Sequence, residues 1–122
     1  MDVFEPHGAR MDAALDLLAD GQALVFSGVH FRLVHPDLLE CAVESTWQHS
    51  SVTEHTARAD LASAHRTLDY LRAESPRFRA LTAGRRVVAS VFFGYGMGMV
   101  DICSESNGQF QWTPGYSPGR DD

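Results

Sequence analysis

The sequence predicts an α+β fold: an antiparallel sheet of about five strands with helices packed mainly on one face. Three observations carry that reading. Apolar residues recur at helical spacing through much of the first seventy residues, β-branched and aromatic residues concentrate from Val87 onward, and Ser27-Gly28 and Asn107-Gly108 sit between strand-like runs as hairpin turns do. The predicted order is helix, two strands, three helices, three strands.

The first helix is expected from about Arg10 to Ala19. Met11, Ala14, Leu15 and Leu18 share one face, and Asp20-Gly21 supplies the stop. Gln22 to Phe26 and Val29 to Val34 then read as two strands joined around Ser27-Gly28, the second alternating Val29, Phe31 and Leu33 with His30, Arg32 and Val34. Pro36, followed by Asp37 and Glu40, has the composition of a helix first turn and predicts a second helix carrying Leu38, Leu39, Ala42, Val43 and Trp47 to about His49.

Ser51-Val52-Thr53-Glu54 has the spacing of a capping box and predicts the start of a third, longer helix. Along it Ala57, Leu61, Ala64, Leu68 and Leu71 alternate steps of four and three, which makes a narrow apolar seam. Left uncovered, the seam's Leu61, Leu68 and Leu71 would offer a surface for a twofold homodimer. Ser75-Pro76 restarts the chain as a short helix with Phe78 and Leu81 inward, ending near Ala83-Gly84.

Val87 to Phe93 is almost continuously apolar, as a central strand covered on both faces requires. Gly94, Gly96 and Gly98 then mark a turn into a strand over about 97–104. Asn107-Gly108 supplies the two positive φ angles of a tight hairpin, and Gln109 to Trp112 closes the meander. Residues 1–112 are therefore expected to form one domain, and 113–122 a flexible Pro/Gly tail.

With 122 residues, 44% hydrophobic and 21% charged, the chain suits one ordinary core. No apolar run approaches the roughly 20 residues of a membrane span. Met1 to Pro6 lacks the basic and apolar regions of a signal peptide, so a cytoplasmic protein is expected. A net charge of -6 disfavours a nucleic-acid partner. Two cysteines, Cys41 and Cys103, are too few for a disulfide scaffold or a thiolate zinc cage.

Chemistry has few candidates. His65 and Asp69 are four apart on the long helix, so the carboxylate could orient the imidazole in an acid–base pair. His49 and His55 flank a helix start beside Glu54, a set that could converge on a divalent ion, although the spacing matches no established ligand pattern. Tyr95, Met97, Met99 and Trp112 could line a small-molecule pocket near the glycine-rich strand. The glycines themselves lack the following helix N-terminus that phosphate-binding loops use.

No nucleophile elbow, metalloprotease helix, paired Cys-x-x-Cys or calcium loop occurs. The expectation is a small acidic, non-enzymatic binding module that acts through a protein partner, as neutralising, chaperone or adaptor proteins do, without cofactor or metal. The alternatives are a small-molecule-binding domain and a His/Asp-dependent enzyme.

Overall fold

In the computed structural model, which describes residues 8–45, 52–95 and 98–119, the elements follow the order α1 (Ala9–Ala19), β1 (Leu24–Phe26), β2 (Val29–His35), β3 (Leu38–Glu44), α2 (Glu54–Glu74), α3 (Pro76–Thr82), β4 (Arg86–Tyr95), β5 (Gly98–Ser106) and β6 (Gln109–Trp112). The class is α+β. Six strands lie side by side in chain order. Every neighbouring pair is antiparallel except β3 and β4, which run parallel. A parallel pair needs a long crossover, and here α2 and α3 provide it. The sheet is therefore mixed, not wholly antiparallel.

The helix expected from Pro36 is replaced by a strand. Pro36-Asp37 forms the turn between β2 and β3, and Leu38–Glu44 pairs with β2 on one side and β4 on the other. Leu39 and Cys41 point into the core while Glu40 and Glu44 point away, a period of two hidden in a segment whose leucines and valine also fit a helical period. Trp47 and His49 lie outside the described residues. Pairing along both edges outweighs the weak helical preference of so short a segment.

The turn chemistry reads as expected. Ser27 and Gly28 have φ of 52° and 78°, Asn107 and Gly108 φ of 53° and 76°, and each pair closes a hairpin with two residues in the left-handed region. α1 ends at Asp20-Gly21, where the Gln22 amide reaches back to the Leu17 carbonyl. The cap of α2 is Thr53 rather than Ser51. Its hydroxyl accepts from the Thr56 amide at 3.3 Å, and its own amide donates to the Thr56 hydroxyl at 2.9 Å. Ser51 lies outside the described residues, and Glu54 turns outward to Arg58 at 2.9 Å.

One core fills the space between the three helices and a single face of the sheet. The α2 seam Ala57, Leu61, Ala64, Leu68 and Leu71 is buried there, so the protomer's own sheet covers the residues that a dimer seam would have used. α3 starts on Ser75, whose hydroxyl accepts from the Phe78 amide, and drives Phe78 edge-on into Phe31 with ring centroids 5.4 Å apart. Thr82, fully buried, donates to the Phe78 carbonyl and accepts from Arg72.

The segment expected to be a loose tail holds contacts through its described part. The Thr113 amide donates to the Ile102 carbonyl, Tyr116 stacks on Trp112 at 5.5 Å, and the Gly119 amide donates to the Val52 carbonyl. Among the described residues, no helix is long and apolar enough to cross a membrane.

Candidate protein-interaction surface

Side-chain alternation divides each strand between two environments. Leu24, Phe31, Leu39, Val91 and Cys103 meet the helices. Their neighbours in sequence face the other way, where no described helix packs, except Ile102, which the irregularity between β4 and β5 leaves in the core. One row crosses all six strands on that second face: Val25, His30, Ala42, Ser90, Ser104 and Gln111 are successive register partners. Its middle is built of small side chains, Ala42 and Ser90, both buried.

The charges flank this row. On one side Arg32 pairs in register with Glu40, and on the other Phe92 lies between Glu44 and Asp101. Three carboxylates thus share the face with two guanidinium groups, Arg32 and, at the far end of β4, Arg86, which pairs with Asp37 at 3.6 Å. Phe92 is buried although it stands on the helix-free side, with the His30 ring edge-on at 5.5 Å. The end of the flexible Glu44 side chain lies where a side chain at position 94 would stand. Burial holds the Glu40 carboxyl above the usual range, Asp101 adds to the rise, and Arg32 opposes it.

β5 contributes a second feature. Its first four residues, Gly98 to Asp101, are exposed, Met99 by 62% and Val100 by 40%. β6 pairs only with Cys103 to Ser106, so the outer edge of Gly98–Asp101 has no strand beside it among the described residues.

The histidines distribute differently from the expectation. His65 pairs with Glu105 of β5, Nε2 to Oε1 at 2.8 Å, while Asp69 is exposed on the same helix. The His65 side chain is 43% exposed. His55 is exposed on the first turn of α2, and His49 lies outside the described residues. Among the described residues, no three His, Cys, Asp or Glu side chains converge as a metal site requires. Of the pocket candidates, Met97 is outside the described residues, Met99 stands in the open, and Trp112 packs between Phe110 and Tyr116. The described clefts lie elsewhere, along α1, α3 and the end of α2 beside Met11, Tyr70 and Arg77.

Sequence reasoning missed Glu105 and the free edge of β5. Alternation from Cys103 does place Glu105 on the helix side, but which helical residue stands above it depends on the crossing of α2 over the sheet. Both thiols are buried, and burial pushes each up to about 12, which keeps Cys41 and Cys103 protonated at neutral pH. No protein-family model, curated protein or solved structure matches this chain. The functional reading rests on the geometry.

Proposed function

We propose that this chain is a non-enzymatic binding module that docks a protein partner on the helix-free face of its sheet. The carrying observation is the charge asymmetry of that face: Glu40, Glu44 and Asp101 border the row, against Arg32 and an Arg86 already paired with Asp37. A partner with a basic contact surface is the electrostatic complement, and a net charge of -6 would speed its encounter.

The test begins by isolating the protein with its partner from its own host and reconstituting the pair from purified components. Replacing Glu40 and Glu44 together by arginine should then weaken binding at least tenfold, with most of the loss at low salt and the melting temperature little changed. Equal affinity of the double variant, or amide protection confined to the helices, would sink the reading.

A second reading has one specific support, the 2.8 Å contact of His65 with Glu105. A carboxylate that fixes an imidazole tautomer is half of an acid–base site. The chemistry would then depend on His65, and Glu105→Gln should lower turnover by one to two orders of magnitude without loss of fold. Any substrate turned over equally by His65→Ala would end this reading.

A further inference from the structure

Natural sheets close their edges with short strands, bulges, charges or proline, because unpaired main-chain groups invite another strand. Two ends of this sheet follow the rule: β1 has three residues and β6 four. Two stretches among the described residues depart from it: Arg32–His35 of β2, which β1 does not reach but which a charge and a register irregularity already blunt, and the first half of β5. Its inner side pairs with β4 from Gly98↔Tyr95 to Asp101↔Phe92, and a register irregularity then separates this stretch from the part covered by β6. The Thr113 amide reaches only as far back as the Ile102 carbonyl.

Gly98, Met99, Val100 and Asp101 thus form a short antiparallel segment with one free edge. In such a ladder alternate residues turn their N–H and C=O to opposite neighbours, so about half of these main-chain groups face outward. The occupant chemically suited to them is another extended main chain.

The side chains specify that chain further. Val100 is the register partner of Phe93 and lies on the helix side, where an apolar neighbour is favoured. Met99 and Asp101 lie on the other side, and Asp101 shares its row with Glu44 across Phe92. The described arginines of that face are distant: Arg32 is on β2, three strands away, and Arg86 is at the opposite end of β4, paired with Asp37. An added strand therefore gains by carrying basic residues on the open side and apolar residues on the helix side. A second copy of the same edge offers only Asp101 in return, with no basic residue.

We propose that Gly98–Asp101 is a strand-addition site for an extended segment of a partner protein in which basic and apolar residues alternate. This inference rests on the protein-binding reading above and adds the mode and chemistry of contact.

The probes are three capped heptapeptides: alternating arginine and valine, alternating glutamate and valine, and the arginine peptide with N-methylated main chain. Titrated into the isotope-labelled full chain, the arginine peptide should shift the amides of Gly98–Asp101 and slow their hydrogen exchange. The glutamate and N-methylated peptides should bind at least tenfold more weakly. Asp101→Arg should reverse the charge preference, which a merely unfolded variant would not do.

Equal binding of the N-methylated peptide, or shifts confined to another surface, would overturn strand addition while leaving the module reading intact. So would a partner whose binding is lost with Glu40→Arg and Glu44→Arg but is unaffected by Asp101→Arg. A doubled sedimentation mass abolished by Val100→Asp would overturn it too, since the occupant would then be a second copy. If the partner ignores all these substitutions, the module reading falls as well.

Discussion

Leu61→Ala tests the central packing claim, that α2 lies on the sheet and not on another molecule. Leu61 is 1% exposed and belongs to the core cluster. Truncation removes three carbons, worth about 2.4 kcal/mol at about 0.8 kcal/mol each. The cavity left behind adds to this, and buried Leu→Ala changes range over about 2–5 kcal/mol, so about 3 kcal/mol is expected. At an unfolding entropy of about 2.1 cal/mol/K per residue, 122 residues give about 0.26 kcal/mol/K, and the melting temperature should fall by about 12 °C.

The assay is urea unfolding followed by circular dichroism, with Leu17→Ala as the control. Leu17 is 53% exposed on α1, and its truncation should stay within about 0.5 kcal/mol. A cost for Leu61→Ala below about 1 kcal/mol, or equal to that of Leu17→Ala, would refute the packing. A fall in native mass instead of stability would refute it too, by showing that the seam is an intermolecular contact.

Thr53→Ala should destabilise by about 1 kcal/mol, within the usual range for losing an N-cap, because it removes the hydroxyl that holds the Thr56 amide; a neutral result in chemical denaturation would place the cap elsewhere. Cys41 and Cys103, with thiols pushed up to about 12 by burial, should resist an aromatic disulfide reagent at pH 8 in the native protein and react on unfolding; rapid native labelling would contradict their burial. Asp60 has a buried Oδ2 without a partner among the described residues, and burial raises its carboxyl above the ordinary 3.8. Between the unfolded and folded values the folded state holds more protons, so stability falls as pH rises through that window and stays reduced above it. Asp60→Asn should therefore raise the melting temperature at pH 7, and the gain should shrink as pH drops below the ordinary value; a gain unchanged with pH would assign the effect to something other than charge.

The candidate surface was partly legible from residues alone. Acidity points to a protein partner rather than nucleic acid, and Met99 stands out beside the glycines, though for a pocket rather than for exposure on a strand edge. His65 was singled out too, but its partner was sought four residues along the helix. A helix neighbour is always near in sequence, whereas Glu105 is forty residues away and meets His65 only because α2 crosses β5. The face carrying Glu40 and Glu44 was hidden by the reading of that segment as a helix.

Local chemistry by itself determined the class, the two hairpins and the left-handed turn at Asn107-Gly108, the end of α1, the apolar seam of α2 and the strand character of Val87 to Phe93. Each of these depends on steric or periodic constraints within a few residues, which composition displays directly. Only the tertiary structure decided that Leu38–Glu44 is a strand, that β3 and β4 run parallel, that Tyr116 lies against Trp112, and that the first half of β5 has a free edge. Those outcomes depend on which segments pair across long sequence separations. A short segment compatible with two periods takes the one its neighbours can hydrogen-bond and bury.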